Sequence, residues 1–207
     1  GLNEKMYLAI FLIMSFVISY LILRKFGTDL LVNTVLIGSA LYLFLITVRD
    51  FIKKKSQNLS QNLSHFGFSM LILSILLNNV FSSEIITNLK VGETFKNEKF
   101  QIQFNELKKF QDKNYISFKG YFLIEENKAK EYLEPELRVY NQPNIVTSEA
   151  DIKTTFLSDK FITMNKVQNQ EYFNIRYQVK PFMIWIWISV LLISLGGIIS
   201  LFKRRIS

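Results

Sequence analysis

His65 is the only histidine among 207 residues, and the chain contains no cysteine. Without thiols there is no thiolate zinc site, no iron–sulfur cluster and no cysteine nucleophile. With one imidazole there is a single side chain that titrates near neutral pH or binds a transition metal well. It lies in the string Leu63-Ser-His-Phe-Gly-Phe-Ser-Met-Leu-Ile-Leu, with Gly67 beside it and Ser69 one helical turn further on the same stripe. Ionisable groups inside a membrane are costly and face a bundle interior or a cavity. Gly67 is therefore expected to open space for a flat cofactor lying on the helix, with the imidazole as an axial ligand. A histidine in the head-group layer at the end of a span has the same local sequence, so spacing alone leaves both readings open. No Gly-rich phosphate loop, paired-carboxylate pattern or Ser/His/Asp set accompanies it.

The elements that must position His65 are membrane spans. Met6–Leu23, Leu30–Val48, Leu63–Phe81 and Phe182–Phe202 contain no Asp, Glu, Lys or Arg, and each approaches or reaches the ~20 residues a helix needs to cross a bilayer. The first is not a cleaved signal peptide: its apolar run is too long, it lacks a small-x-small cleavage site, and a second span follows at once. The chain starts at Gly1 rather than Met, so the start of the natural protein is expected to be missing. Ser15/Ser19, Thr34/Gly38 and Gly196/Ser200 have the i, i+4 spacing of small residues that bring helices together in lipid.

The net charge is +8, from 25 Lys+Arg against 17 Asp+Glu. A soluble protein with that balance would suggest nucleic acid, but the excess lies elsewhere. Residues 82–180 hold 15 basic and 14 acidic groups, leaving +7 for the membrane flanks. Arg49, Lys53, Lys54 and Lys55 separate spans two and three, and Lys203, Arg204 and Arg205 follow span four. The positive-inside rule places those flanks and the N-terminus in the cytoplasm, with Arg24 and Lys25 in a tight outer turn. Residues 82–180 then lie outside. The charge predicts topology and membrane lipid as a partner, not nucleic acid. The doubled Gln-Asn-Leu-Ser at 57–64 is a polar cytoplasmic linker.

Between Ser82 and Lys180 the periodicity changes to two residues. Phe100–Phe104, Tyr115–Ile124, Leu137–Tyr140, Lys160–Met164 and Tyr172–Val179 predict strands with one wet face. Turns are predicted at Val91-Gly-Glu and Asp112-Lys-Asn, and a short helix over Ser148–Lys153. The expected fold is a polytopic α-helical membrane protein of four spans, with an antiparallel β-rich external domain inserted between spans three and four as a small sandwich or barrel. The expected division is residues 1–62 (two spans and a basic cytoplasmic loop), 63–81 (the span carrying His65), 82–180 (the external β domain) and 181–207 (the last span and a basic tail). Near-neutral charge and the lack of a catalytic signature suit a binding or docking module.

Four stretches carry a family resemblance: Ser64-His-Phe-Gly-Phe; Phe81-Ser-Ser-Glu with Leu89-Lys-Val-Gly-Glu; Leu137-Arg-Val-Tyr-Asn-Gln-Pro-Asn-Ile-Val-Thr-Ser-Glu-Ala; and Tyr177-Gln-Val-Lys-Pro-Phe-Met-Ile-Trp-Ile-Trp, followed by Leu195-Gly-Gly and Lys-Arg-Arg. The chain resembles the C-terminal portion of the CcmF family, the large membrane subunit of the cytochrome c haem lyase of system I maturation. The likeness covers most of residues 60–207. It implies that His65 is one of two transmembrane axial ligands of a resident b-type haem, and hence the metal ligand. The second ligand, the tryptophan-rich haem-handling motif and its flanking histidines are not in this chain, which suits a fragment or the C-terminal piece of a split subunit. The implied function is cytochrome c maturation, with haem passing from a haem chaperone to apocytochrome c alongside other subunits of the complex. Whether this chain carries any of the catalysis stays open, and its catalytic residues are unknown. The implied location is the bacterial inner membrane with a periplasmic β domain, or alternatively the mitochondrial inner membrane.

Lys180-Pro-Phe-Met-Ile-Trp-Ile-Trp187 also has a physical reading of its own. Pro181 fits the first turn of a helix, and Trp185 and Trp187 fall at the outer interface, where indoles anchor a span. Contact with haem or a partner is the other reading. The rival to a haem-lyase segment is a non-enzymatic, membrane-anchored binding or assembly module with no cofactor, in which His65→Ala would be harmless.

Overall fold

The computed structural model describes residues 2–25, 30–53, 59–126 and 129–206, with the side chains of 2, 3 and 203–206 excepted. Lys54 and Lys55 therefore lie outside the described residues, as do the side chains of Lys203, Arg204 and Arg205. Residues 1–81 and 181–207 form one compact unit, and residues 82–180 form a second.

The first unit is four helices: α1 (Leu2–Leu23), α2 (Leu30–Ile52), α3 (Leu59–Phe81) and α4 (Met183–Ile206). All four are long and apolar enough to cross a membrane. α2 and α3 run further than the apolar count predicts. α2 continues past Arg49, whose guanidinium donates to the carboxylate of Glu4 at 2.9 Å, so the first charge after the span is paired and need not end the helix. Small residues make the contacts. Ser15 and Ser19 are fully buried, the Ser19 hydroxyl reaches the Thr34 carbonyl at 3.4 Å, and the Phe16 ring lies where a side chain on Gly38 would be. The expected pairs on α1 and α2 thus face each other. The third expected pair does not: Gly196 is buried, but Ser200 is exposed.

Pro181 ends a strand and does not start α4. Phe182 takes a φ of 61°, uncommon for a bulky residue, and its carbonyl accepts the first helical bonds from the amides of Trp185 and Ile186. The helix therefore begins at Met183.

The second unit is a sandwich of two antiparallel sheets. Its strands are β1 (Ser83–Leu89), β2 (Thr94–Lys96), β3 (Phe100–Gln111), β4 (Tyr115–Glu126), β5 (Ala129–Leu133), β6 (Glu136–Tyr140), β7 (Val146–Glu149), β8 (Asp151–Thr154), β9 (Ser158–Lys166) and β10 (Phe173–Pro181). One sheet has the order β1-β10-β9-β8. The other has β2-β3-β4-β6-β7, with β5 also on β4. Alternation places Phe100, Ile102, Phe104, Phe122, Ile124, Ile162, Met164, Ile175 and Tyr177 in one buried core. Phe104 stacks on Phe122 at 4.3 Å. A side chain at Gly120 would strike Phe122 and Met164, so that position must be small. Gly92, at φ 90°, makes the predicted turn before β2.

The expected helix over Ser148–Lys153 is absent. β7 and β8 occupy those residues, and the chain passes from one sheet to the other at Ala150. Six residues could make only a bond or two of isolated helix, on a costly nucleus. Here Val146–Glu149 pairs with Glu136–Val139 in one sheet, and Asp151–Thr154 pairs with Asp159–Ile162 in the other. The Ser148 hydroxyl also donates to the Met164 carbonyl at 2.7 Å across the sheets.

Candidate functional site: the uncovered face of α3

α3 presents three faces. Towards α2 it turns Phe66, whose ring lies 5.6 Å from Phe44 and 6.1 Å from Phe51, and Ser69, whose hydroxyl is 2.7 Å from that of Thr47. Towards α4 it turns Ser60, Ser64 and Gly67. The Ser60 hydroxyl donates to the Gly196 carbonyl at 2.7 Å. A side chain on Gly67 would meet the Ser189 carbonyl at 2.9 Å and the Ile193 amide at 3.1 Å, and one on Gly196 would meet the Ser60 carbonyl at 2.8 Å. Two glycines, one from each helix, let the backbones touch, as packing in lipid favours.

The third face carries Gln61, His65, Phe68, Ile75 and Asn79, all exposed within this unit. Their spacing keeps them on one side of a 3.6-residue helix. His65 is thus presented on a surface that the other described helices leave uncovered, with Phe68 nearly one turn away.

Two sequence expectations require correction. Gly67 does not open space for a cofactor beside His65, because α4 fills that space. Ser69 does not share the open stripe, because it is fully buried and held by Thr47 and by the Phe66 carbonyl. The local string could not reveal this, since the atoms that occupy Gly67's side come from residues 189–193, beyond the whole β domain. The open face would offer a haem iron one imidazole, with Phe68 and Ile75 as apolar neighbours. No group of three or more His, Cys, Asp or Glu that could hold a metal ion occurs among the described residues.

At the start of α4, Trp185 is half-buried and Trp187 is 64% exposed. Ser60 lies against Gly196, and Gly67 against Ser189 and Ile193. His65 is therefore level with the middle of α4, and both indoles stand further along, near the end that joins β10. The structure does not bring them to His65.

In the β domain, the segment from Leu137 to Ala150 folds as the β6–β7 hairpin. The register sets Glu136 opposite Glu149 and Arg138 opposite Thr147, so its charged and hydroxyl residues share a face with Tyr115 and Lys119 of β4. Arg138 bonds Glu136 at 3.0 Å and lies 5.1 Å over the Tyr115 ring. Lys119 bridges Glu134 and Glu136. These groups satisfy one another. A more enclosed ion cluster, missed in the sequence, joins Lys160 to Glu126 at 2.8 Å and Glu131 at 3.2 Å. Only its place at the edge of alternating strands could have signalled it.

A family model described as the CcmF C-terminal beta-sandwich matches residues 80–181. The chain is 28% identical over 144 residues to the cytochrome c-type biogenesis protein CcmF of Pseudomonas aeruginosa, covering 69% of this chain and 22% of that protein. It is 29% identical over 144 residues to CcmF of Haemophilus influenzae, with the same coverage. It is 23% identical over 174 residues to the biogenesis protein NrfE of Haemophilus influenzae, covering 83% of this chain and 27% of that one. A solved structure titled cytochrome c heme lyase CcmF superposes with a TM-score of 0.66 at 16% identity, covering 91% of this chain and 33% of that one, which shows a shared fold of spans and sandwich. The chain spans about a fifth of the length of the first two relatives. Through its β sandwich, residues 80–181, this membrane protein matches the CcmF family, whose C-terminal portion the chain resembles.

Proposed function

We propose that the chain is the haem-holding C-terminal part of a cytochrome c maturation machine. The observation that carries this is His65, an imidazole exposed on a face of α3 that no other described helix covers. A side chain this polar on a lipid-facing surface is expensive, so the face is built to be covered by a partner segment, with the cofactor between them. His65 would be one ligand to the iron of a b-type haem. The second comes from another part of the larger protein or from another subunit. When bound, the haem supplies one-electron chemistry at a potential that axial imidazole helps to set.

The chain's own residues perform supporting tasks. α2 and α4 clamp α3 on its other two faces, through the Thr47–Ser69 bond and the Gly67–Gly196 crossing, and so fix the direction of His65. Phe68 adds apolar surface that excludes water beside the imidazole. Trp185 and Trp187 anchor α4 at the outer interface. The β domain sits in the periplasm beside the place where a haem chaperone delivers haem to apocytochrome c, and the whole is held in the bacterial inner membrane.

The test is the visible spectrum of the full-length parent protein, purified in detergent, with and without His65→Ala. A lost or shifted Soret band, restored by free imidazole in a His65→Gly variant, is the expected result. A Soret band unchanged by the substitution rejects the axial role and leaves a membrane-anchored assembly module.

A further inference from the structure

We propose that the mouth of the β sandwich binds an amphiphilic carboxylate, with its apolar body between the sheets and its carboxylate at Lys166. A cleft of about 570 Å³ opens there, walled by Leu107, Phe118, Val139, Val146 and Phe173. Leu107, Phe118 and Phe173 are half-buried extensions of the core, and Val146 is 58% exposed. Protein interiors leave few voids larger than a water molecule. An open cleft of this size, apolar with a few polar groups, falls in the range of small-molecule sites.

The polar groups come from Asn165, Lys166 and Gln168, at and after the end of β9. No carboxylate lines the cleft among the described residues. Lys90, Lys108, Lys119 and Lys160 each hold a glutamate at 2.8–3.5 Å, whereas Lys166 has no acidic partner among the described residues. An apolar cavity with a lysine and no described carboxylate in its lining complements an amphiphilic anion.

The position of the cleft points the same way. Ser83 and Val179 are register partners, so the chain enters and leaves the domain at one end. Phe173 lies at the other end of β10, six residues or ~20 Å along the strand, beside the turn of the β9–β10 hairpin. The cleft is therefore remote from the points where the domain joins its spans. An aliphatic carboxylate and a propionate-bearing tetrapyrrole share the required chemistry, and the test separates them.

The full chain in lipid nanodiscs is treated with a diazirine-bearing hexadecanoate, and cross-linked peptides are mapped by mass spectrometry. Labelling is expected within residues 137–146 and 165–173. Val146→Trp, at an exposed lip position outside the packed core, should fill the cleft and reduce that labelling about tenfold. Lys166→Gln should reduce it by about threefold, the scale of an exposed ion pair, without affecting labelling by a diazirine alcohol of equal length. Displacement by hexadecanoate alone assigns an aliphatic ligand, and displacement by metal-free protoporphyrin at lower concentration assigns a tetrapyrrole. Labelling confined to the helices, unchanged by Val146→Trp, indifferent to Lys166→Gln, or displaced by neither competitor overturns the proposal.

Discussion

The two units of this chain differ in the kinds of residue they bury and expose. In the sandwich, Ile102, Phe104, Phe122, Ile124, Met164 and Tyr177 lie within 1% of complete burial, while Lys and Glu pair on its surface. In the helices, Ser15, Ser19, Ser69 and Ser189 are buried to the same degree, and large apolar side chains such as Leu31 (79%), Leu191 (63%) and Leu201 (67%) face outward. The cause is the solvent. Water drives apolar area together at ~25 cal/mol per Å², whereas lipid is as apolar as leucine and offers no such drive, so close backbone approach and hydrogen bonds must hold the helices. One chain therefore follows two packing rules. α3 obeys the lipid rule on two faces and neither rule on its third.

The sharpest way to break this comparison is to make one kind of deletion in both units. Phe104→Ala removes a ring stacked on Phe122 and edge-on to Phe173, and should cost ~3–5 kcal/mol. Hydrogen exchange of amides in β3 and β4 should accelerate accordingly. Leu191→Ala, on the outward face of α4, should leave helix stability almost unchanged in nanodiscs. Equal losses at both sites would mean that the outward face of α4 packs against protein rather than lipid.

Adjacent glycines give the converse test. A methyl group at Gly196 would strike the Ser64 hydroxyl and approach the Ser60 carbonyl to 2.8 Å, whereas nothing lies within 4 Å of one at Gly197. Gly196→Ala should destabilise the helical unit by ~1–2 kcal/mol, overpacking opposed by the gain in helix propensity. Gly197→Ala should be neutral or stabilising by up to ~1 kcal/mol. Midpoints of unfolding in a denaturing detergent titration check the pair. A loss at Gly197 as large as at Gly196 would refute the close α3–α4 crossing.

The same two rules govern how much of the molecule is legible in its sequence. The four spans are legible because a soluble helix rarely stays uncharged for so long. Their ends are less so. The apolar count stops at the first polar residue, at Val48 and Leu63, while the backbone ladder continues to Ile52 and begins at Leu59. Strands with strict alternation, such as Phe100–Phe104, are equally clear. Ala129–Leu133 and Val146–Glu149 are not, because their extended form comes from neighbours in the sheet rather than from their own pattern. Glu131 reads as solvated, yet it faces Lys160 from another strand. His65 stands out by rarity alone. Its surroundings are illegible locally, because the partners of Gly67 and Ser69 lie on α4 and α2 and the string around His65 does not contain them.

The smallest effect probes one place where the sandwich breaks its own rule. Tyr177 is 1% exposed, and its hydroxyl has no hydrogen-bond partner among the described residues. A buried polar group without a partner costs free energy that its removal returns. Tyr177→Phe keeps the edge-on ring contact with Phe100 at 5.5 Å and should be neutral or stabilising by up to ~1 kcal/mol at pH 7. Above pH ~10 the difference should widen. Burial, with Glu126 and Glu131 nearby, pushes the phenol well above its ordinary value, so the folded chain keeps the proton while the unfolded chain loses it. Stability present below the unfolded value of ~10 is then lost as pH rises, by up to ~1.4 kcal/mol per pH unit for this one group. Lys160 acts in the same direction: burial lowers its value, but Glu126 and Glu131 outweigh burial and raise it. Its contribution is also present below the unfolded lysine value of ~10.5 and is lost above it. Thermal unfolding between pH 8 and 11 should therefore fall less steeply in Tyr177→Phe than in the parent. Parallel curves would mean that the hydroxyl is solvated in the folded domain.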